Sequence, residues 1–321
     1  MKAVPLTCTG HSRPVTQLSF SAANDGSSKY LISSCKDGMP ILRDGVTGDW
    51  IGTFIGHQGA IWCSRLSPDS SLAVTASADY TSILWSATTG EVLATLHHSH
   101  IVRSCDFAPF STQETAYVVT GDQDKNLRLW RIPYRSDNTG KPFWDPQVVF
   151  KWSTAEIPKC LLWVDDSTIV CATYSGQIQW WHVDLNSSAE PKLGVTHHLG
   201  PDLGQVQFTG DWIIAAEGQN GYVFNASTGS MIRQLTFEFA CSSITINPAR
   251  DRLAMGSSND TWVRVYELNE SDTTILDTFK GHHGPVHTLS YSPDGAIIAS
   301  GSEDGTIRLW KAIHGRYGLW Q

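Results

Sequence analysis

Clustered histidines are the residues of this sequence whose type could do chemistry, because imidazole binds metals and transfers protons. Three clusters occur, His97-His98-Ser99-His100, His197-His198 and His282-His283. A zinc site needs further ligands at short fixed spacings, and no cluster has Cys or a carboxylate at such a spacing. The pattern therefore favours one structural histidine per loop with polar neighbours, and the sequence predicts no metal site.

Acidic residues in turns are a second set that could act in catalysis. Asp37-Gly38 and Asp304-Gly305 each place a carboxylate before a glycine. This combination is typical of tight turns, which favours a structural role. The sequence has no Walker-type phosphate loop, no Gly-x-Ser-x-Gly turn and no His-Glu-x-x-His helix. We therefore expect no catalytic residue, no cofactor and no enzymatic activity.

The charge balance and the cysteines limit the class of protein further. The formal net charge is −8, whereas nucleic-acid-binding domains are usually basic, so no direct nucleic-acid contact is expected. The seven cysteines form no Cys-x-x-Cys pair, which is typical of small buried residues in a reducing compartment. The N-terminus lacks the apolar run of a signal peptide, and no stretch is as apolar as a membrane span. We expect a protein that is located in the cytoplasm and also in the nucleus, without a membrane partner.

Short strands in a repeated unit must position these residues. The clearest unit spans residues 281–311 and predicts a strand, a Pro-Asp-Gly turn, a second strand, an Asp-Gly turn and a third strand. Between the turns apolar residues alternate, as half-buried strands require. Six further units precede it, and Val4 to Cys8 adds one more strand. The sequence predicts an all-β chain with a single domain over residues 1–321.

This unit resembles the WD-repeat family, in which each repeat supplies one blade of a β-propeller. The resemblance is carried by Gly281-His282 at the opening, by Trp310 at the close, and by a period of about 40–45 residues. Seven repeats imply a seven-bladed propeller. Because a repeat of this family straddles two blades, the strand Val4–Cys8 should complete the last blade and close the ring, which removes the exposed sheet edges.

A recurring set of His, Ser or Thr, Asp and Trp should hold the turns, because buried imidazole and indole N–H groups need partners. Two repeats carry the complete set: His57, Thr75, Asp79 and Trp85 in the second, and His282, Ser300, Asp304 and Trp310 in the seventh. Spacing alone gives the third repeat His98, Thr120, Asp124 and Trp130. In the first repeat Arg43 stands in the Trp position, and its guanidinium either donates in place of the indole or points outward.

Another recurring position should face the central channel of the ring. It follows the first apolar residue of the innermost strand and holds, in five blades, Thr16, Trp62, Arg103, Ser242 and His287. Lys36 and Gln123 each precede a turn Asp and should lie nearby. Because Trp and Arg are frequent interface hot spots, we predict that these seven residues bind a partner. The alternative for Trp62 is packing into the channel mouth.

Two aromatic segments fall outside the repeat pattern. In residues 133–147, Pro and Gly argue against a regular element, which leaves either a partner-docking loop or a loop packed on its own blade. The C-terminal tail docks either on the propeller's flank or on a partner. The aromatic candidates for partner binding are Tyr134, Phe143 and Trp144 in the first segment, and Tyr317 and Trp320 in the tail.

The repeats between residues 150 and 267 lack most of the structural set. Ser175 replaces the turn Asp, and Phe224 and Tyr266 replace the closing Trp. With fewer satisfied turn networks, this sector should be the least stable part of the ring. The fourth and fifth blades, with the neighbouring aromatic segment, are therefore a predicted second contact region.

Within the WD-repeat family, both ends of the chain are similar to one group of scaffold proteins. The similarity is carried by residues 6–62, with Lys36-Asp37-Gly38 and Arg43 in place of Trp, and by Tyr317-Gly318-Leu319-Trp320. It implies a monomeric scaffold within the survival motor neuron complex, which assembles spliceosomal small nuclear ribonucleoproteins. The implied partners are Gemin subunits, with unr or receptor kinases as further partners.

The same stretch leaves alternatives open. The WD-repeat subunit of translation initiation factor three shares the pattern Gly-His-x-Gly-Ala-x-Trp, which here covers residues 56–62. An adaptor of TGF-β receptor signalling is a further alternative that the resemblance implies.

Overall fold

The computed structural model describes residues 4–22, 29–137, 139–269, 273–313 and 319. Its regular elements are strands, which form seven antiparallel sheets whose first strands neighbour each other in a ring. The fold is a seven-bladed β-propeller, as predicted. The described ranges contain no helix that could span a membrane.

The strands follow the chain blade by blade, except that β1 (Leu6–Cys8) belongs to the last blade. The first blade contains β2 (Val15–Phe20), β3 (Tyr30–Cys35), β4 (Ile41–Asp44) and β5 (Trp50–Thr53). The second contains β6 (Ile61–Leu66), β7 (Leu72–Ser77), β8 (Thr81–Ser86) and β9 (Val92–His97). The third contains β10 (Val102–Phe107), β11 (Thr115–Asp122), β12 (Asn126–Ser136), β13 (Pro142–Trp144) and β14 (Gln147–Ser153).

The remaining blades repeat the four-strand order from the channel outward. The fourth contains β15 (Pro158–Trp163), β16 (Thr168–Thr173), β17 (Gln177–His182) and β18 (Lys192–His198). The fifth contains β19 (Leu203–Thr209), β20 (Trp212–Glu217), β21 (Asn220–Asn225) and β22 (Met231–Thr236). The sixth contains β23 (Cys241–Ile246), β24 (Arg252–Ser257), β25 (Trp262–Leu268) and β26 (Thr273–Lys280). The seventh contains β27 (Val286–Tyr291), β28 (Ile297–Ser302) and β29 (Ile307–Lys311).

The apolar core lies between the blades, because sheets stacked face to face bury the strands in the middle. Strands β7 and β28 are buried along their whole length. The core between the first and seventh blades joins Leu18 and Leu31 to Ile297 and Leu309. Each blade is therefore held by both of its neighbours, and the ring must close to bury its last faces.

Strand β1 closes that ring. It pairs antiparallel with β29, with Leu6 opposite Leu309 and Cys8 opposite Ile307. This is the predicted closure, although the strand is shorter than expected and begins at Leu6 instead of Val4. Pro5, which has no N–H for the ladder, immediately precedes the paired residues.

A β-bulge interrupts every innermost strand at the same level, one residue after its first paired residue. The register shifts fall between Val15 and Gln17, Ile61 and Cys63, Val102 and Ser104, Pro158 and Cys160, Leu203 and Val206, Cys241 and Ser243, and Val286 and Thr288. A bulge leaves a residue out of the ladder and re-aims its side chain. The seven bulges therefore set the side chains at one end of the channel.

The prediction of an irregular loop over 133–147 was wrong. Strand β12 continues to Ser136, and β13 pairs with it, with Tyr134 opposite Trp144. Pro142 is tolerated because it begins a strand of this short ribbon, where proline is permitted, and Pro133 because it lies where β12 leaves its partner β11. Pro146 lies between β13 and β14. Gly140, with φ of +83°, takes the left-handed position in the connecting turn.

Candidate functional site

Hydrogen-bonded sets of four side chains fix the loops around the channel mouth. In the second blade, Trp85 Nε1 donates to Thr75 Oγ1 at 2.8 Å, and that hydroxyl lies 2.6 Å from His57 Nε2. His57 Nδ1 lies 2.7 Å from a carboxylate oxygen of Asp79, which also accepts the backbone N–H of Gln58 at 2.9 Å. This series of hydrogen bonds, from the indole to the carboxylate, gives each of these buried polar groups a partner and connects the Gly-His loop to the turn.

The seventh blade repeats this arrangement. Trp310 Nε1 lies 2.8 Å from Ser300 Oγ, which lies 2.7 Å from His282 Nε2. His282 Nδ1 lies 3.0 Å from Asp304 Oδ2. Burial acts to raise the pKa of Asp304, but hydrogen bonds, first from the His283 N–H and from Thr306, outweigh it and lower the pKa to about 2.

In the third blade the prediction of Asp124 as the partner of His98 was wrong. His98 Nδ1 lies 3.1 Å from Asp122, and Trp130 Nε1 donates to Thr120 Oγ1 at 2.8 Å. Asp122 is fully buried at the end of β11, whereas Asp124 is exposed and accepts the hydroxyl of Ser99 at 2.9 Å. With two aspartates two residues apart, the buried one reaches the imidazole.

In the first blade Arg43 donates in place of an indole. Its guanidinium is buried, with Nη1 3.1 Å from the carbonyl oxygen of Gly48 and Nη2 bonded to the carbonyl of Thr9. Of the two alternatives that the sequence left open, the structure therefore shows the inward one.

The first blade also contains a possible donor set for a metal. Ligand atoms of His11, Cys35 and Asp37 lie within 4.8 Å of one another. Both nitrogens of His11 are already engaged, with Asp37 at 3.0 Å and Ser33 at 2.8 Å. Burial raises the pKa of Cys35 to about 12, which opposes the thiolate form that binds metals. The set fits a structural network better than a metal centre.

The fourth to sixth blades use other contacts where the set of four is missing. Ser175 lies 3.0 Å from Thr173 Oγ1. The ring of Phe224, fully buried, lies 4.7 Å from that of His197. In the sixth blade Tyr266 packs 5.1 Å from Phe237. Aromatic packing thus replaces part of the polar network in this sector.

The channel mouth holds a cavity of about 340 Å³. Six of the predicted partner-binding residues line it: Thr16, Lys36, Trp62, Arg103, Ser242 and His287. The seventh, Gln123, does not line the cavity but contacts the lining residue Arg103, whose Nη2 donates to Gln123 Oε1 at 3.1 Å. The bulges of five blades therefore bring the residues of the shared sequence position together at one site.

Three bulge residues also tie adjacent blades together. Thr16 Oγ1 donates to the carbonyl of Ile61 at 2.7 Å. Ser242 Oγ donates to the carbonyl of Val286 at 2.5 Å. Lys159 Nζ donates in the same way to the carbonyl of Leu203. Each accepting residue begins the innermost strand of the next blade, so these bonds fix the wall of the cavity.

Cations and aromatic rings dominate one side of the cavity. The guanidinium carbon of Arg103 lies 4.2 Å from the ring centroid of Trp62 and 5.5 Å from that of Tyr174. Lys159 Nζ also lies 5.5 Å from the Tyr174 ring, and burial lowers the pKa of this ammonium group. Such distances are those of cation–π contacts, so Trp62 and Tyr174 hold positive charge at the mouth.

The sequence analysis missed Lys159, Tyr174 and Gln205. Lys159 occupies the bulge of the fourth blade, but Pro158 precedes it where the pattern expected an apolar strand residue. Tyr174 precedes Ser175 in the turn, as Lys36 precedes Asp37 in the first blade. The signal that found the other lining residues could therefore have found these two.

Gln205 lines the cavity and connects two blades that are not adjacent. Its side-chain amide crosses from the fifth blade to the seventh, donating to Leu289 O at 3.0 Å and accepting from Leu289 N at 2.9 Å. Gln207 donates to the same carbonyl and lines a separate cavity of about 510 Å³ at the other end of the channel. The side chains of Gln205 and Gln207 therefore meet at one carbonyl between the two cavities.

The remaining predicted contacts lie elsewhere or outside the described residues. Tyr134 and Phe143 are 49% and 43% exposed on the β12–β13 hairpin, whereas Trp144 is half-buried and packs on the core between the second and third blades. The rings of Tyr134 and Trp144 lie 5.3 Å apart. Tyr317 and Trp320 fall outside the described residues.

The fold and its repeated networks define a WD-repeat β-propeller protein. Residues 48–86, 90–131 and 273–311 match the family model described as WD domain, G-beta repeat. Relatives match along the whole chain: the serine-threonine kinase receptor-associated protein of Gallus gallus is 38% identical, over 100% of this chain and 86% of the relative. The chain belongs to the serine-threonine kinase receptor-associated protein family.

Further relatives support and delimit this assignment. The protein of the same name from Homo sapiens is 36% identical over 100% of this chain, and that from Dictyostelium discoideum is 36% identical over 96% of this chain and 99% of its own. These matches confirm the similarity inferred from the two ends of the sequence. Eukaryotic translation initiation factor 3 subunit I of Drosophila willistoni is more distant, at 27% identity over 94% of this chain.

Proposed function

We propose that this protein is a non-catalytic scaffold of the survival motor neuron complex, in which it supports the assembly of spliceosomal small nuclear ribonucleoproteins. The observation that carries the proposal is the channel-mouth cavity. Residues from several blades line it together, and cationic and aromatic side chains are in contact there. Interface hot spots are enriched in such Arg and Trp residues. The resemblance to the kinase receptor-associated group supplies the choice of complex.

The proposed partners are Gemin subunits, which the protein contacts as a monomer within the larger complex. Unr and receptor kinases are proposed as further partners. The protein acts as one domain over residues 1–321, in the cytoplasm and the nucleus. It contacts RNA through these partners, since its own net charge of −8 disfavours a broad RNA surface.

Two surfaces serve this role in the proposal. The first is the channel mouth with Trp62 and Arg103 at its centre. The second combines the β12–β13 hairpin with the outer strands of the fourth and fifth blades. Exposed apolar residues support the second surface: Phe143 on the hairpin, Leu193 and Val195 on β18, and Met231 and Ile232 on β22.

Two other functions have specific support. The relatives named translation initiation factor 3 subunit I favour a role in translation initiation, although at 27% identity. The name of the nearer relatives, serine-threonine kinase receptor-associated protein, favours an adaptor of receptor-kinase signalling, for which the resemblance in sequence suggests the TGF-β pathway. Both alternatives use the same propeller as a scaffold and differ only in the partner.

Affinity purification of the tagged full chain from its source cells separates these functions. Gemin and Sm proteins among the co-purifying proteins are the expected result. Initiation-factor subunits in their place would assign the protein to translation initiation, and receptor kinases would assign it to signalling. A tagged Trp62→Ala, Arg103→Ala double variant, purified in parallel, separates partners held at the channel mouth from partners held elsewhere.

A further inference from the structure

We propose that the channel-mouth cavity binds a glutamate or aspartate side chain of an extended partner segment, with Arg103 as the main carboxylate-binding group and Lys36 as a second cation. The inference rests on the proposed function in one respect, namely that this face docks a protein. The inference adds which kind of side chain the bound segment of the partner presents to this face.

The charges of the cavity point to an anion. Lys36, Arg103 and Lys159 line it, and none of its described lining residues is Asp or Glu. His287 also lines it, but its Nε2 lies 2.6 Å from Glu303 Oε2, which offsets a positive charge there. This concentration of cations contrasts with the net charge of −8 for the whole chain. Walls of low dielectric strengthen the attraction of such a cavity for negative charge.

The geometry of Arg103 suits a carboxylate. The guanidinium stacks on Trp62, and its Nη2 donates to Gln123 at 3.1 Å. Its Nη1 makes no hydrogen bond within the part of the chain that the structure describes, so donor capacity is left for a ligand. A guanidinium held in place by stacking loses little freedom when it pairs with a planar carboxylate.

The size of the cavity limits what can enter. Its volume of about 340 Å³ lies at the lower end of ligand pockets, and Gln205 is one of its lining residues. A cavity of this size has room for one or two side chains. An extended peptide that lies across the mouth and inserts a single acidic side chain fits this shape.

Carboxylates beside the cavity disfavour a polyanion such as RNA. Glu303 bonds to the lining residue His287, and Asp124 is exposed next to Gln123. A chain of phosphates that crossed the mouth would approach both carboxylates, whereas one inserted carboxylate meets only the cations. The surroundings thus favour an acidic peptide over a nucleic acid.

The test uses purified full-length protein and two fluorescein-labelled peptides, Ser-Gly-Leu-Glu-Leu-Gly-Ser and the same peptide with Gln in place of Glu. Fluorescence anisotropy at low salt should show that the Glu peptide binds about tenfold more tightly than the Gln peptide. Arg103→Gln should remove most of this preference. Lys36→Gln, at an exposed position where folding is not at risk, should reduce it about threefold. Lys151→Gln, an exposed lysine on the outer strand β14, is the matched control and should leave it unchanged.

Several results would overturn the inference: no binding of the Glu peptide at millimolar concentration, equal binding of both peptides, or an equal loss with Lys151→Gln. Tighter binding of a uridine decamer, lost in Arg103→Gln, would assign the cavity to single-stranded RNA instead. Because this assay contains no cellular partner, it can fail while Gemin proteins still co-purify. It can also succeed when another complex is recovered, so the two proposals fail separately.

Discussion

Arg103 lies over the indole of Trp62, with 4.2 Å between the guanidinium carbon and the ring centroid. The two residues belong to neighbouring blades, and each occupies the bulge of its innermost strand. Neither Trp62 Nε1 nor Arg103 Nε has a hydrogen-bond partner among the described residues. The position of each side chain therefore depends strongly on the other.

Trp62→Ala and Arg103→Ala should each weaken partner binding by more than about 1 kcal/mol, because both are central residues of hot-spot type. Since the two side chains touch, the loss in the double variant should be smaller than the sum of the single losses. Calorimetric titration of the purified partner measures both effects. Trp50→Ala on the outer strand β5, where Trp50 is 63% exposed, is the control. Undiminished affinity in the double variant would exclude this face.

Asp122→Asn should lower the free energy of unfolding by about 1–3 kcal/mol, because it weakens the acceptor of a buried imidazole hydrogen bond. Asp124→Asn should change it by less than about 0.5 kcal/mol, since Asp124 is exposed. Urea unfolding of both variants beside the unchanged protein measures the difference. A larger effect at Asp124 would restore the assignment that spacing alone suggested.

Acid should destabilise the fold in two stages. Burial lowers the pKa of His282, so below about pH 6.5 the unfolded chain binds a proton that the folded chain resists, and stability falls. The pKa of Asp304 is lowered to about 2. Below about pH 3.9 the unfolded chain therefore also binds a proton that the folded chain excludes, and stability falls further until about pH 2.

Urea unfolding at intervals between pH 8 and pH 3 measures these stages. His282→Gln should make the dependence above pH 5 less steep, and Asp304→Asn should make it less steep below pH 4, whatever each substitution does to stability at neutral pH. A free energy of unfolding that stays constant from pH 8 to pH 4 in the unchanged protein would contradict this account.

Backbone amides in residues 150–236 should exchange with deuterium faster than those in 281–311, because the fourth and fifth blades lack the complete set of four side chains. Addition of the partner should slow exchange in residues 133–236. Mass spectrometry of peptic fragments measures both effects. Uniform protection around the ring would remove the stability argument. Protection by partner confined to β1 and residues 281–321 would move the second interface to the closing blade.

Much of the fold could be predicted because each repeat carries two independent signals, namely turn residues and strands in which apolar residues alternate. Pro293-Asp294-Gly295 and Asp304-Gly305 mark turns by their backbone preferences, and strong turns fix the register of the strands between them. The channel position could be predicted for the same reason, since a bulge at one level recurs in every blade. Convergence of Thr16, Trp62 and Arg103 on one cavity follows from that register.

The other features of the fold and of the site depend on distances in space, which the spacing of residues along the sequence does not give. Asp122 and Asp124 are both near a turn, and only burial decides which one reaches His98. Pro133 and Pro142 look like strand breakers until the end of β11 and the start of β13 are known. The stacking of Arg103 on Trp62 requires the angle between two blades, and the bond from Gln205 to Leu289 crosses the channel between residues far apart in sequence.

The pairing of Leu6 with Leu309 has a consequence for biosynthesis. Strand β1 leaves the ribosome about 300 residues before its partner β29, so at about 5–20 residues per second it waits roughly 15–60 s. During that interval the early strand presents unpaired backbone groups, and the open face of the first blade exposes apolar side chains such as Leu18 and Leu31. The nascent chain therefore passes through a long stage in which a growing number of blades, up to six, exist without a closed ring, and a chaperone that shields this seam would act at that stage.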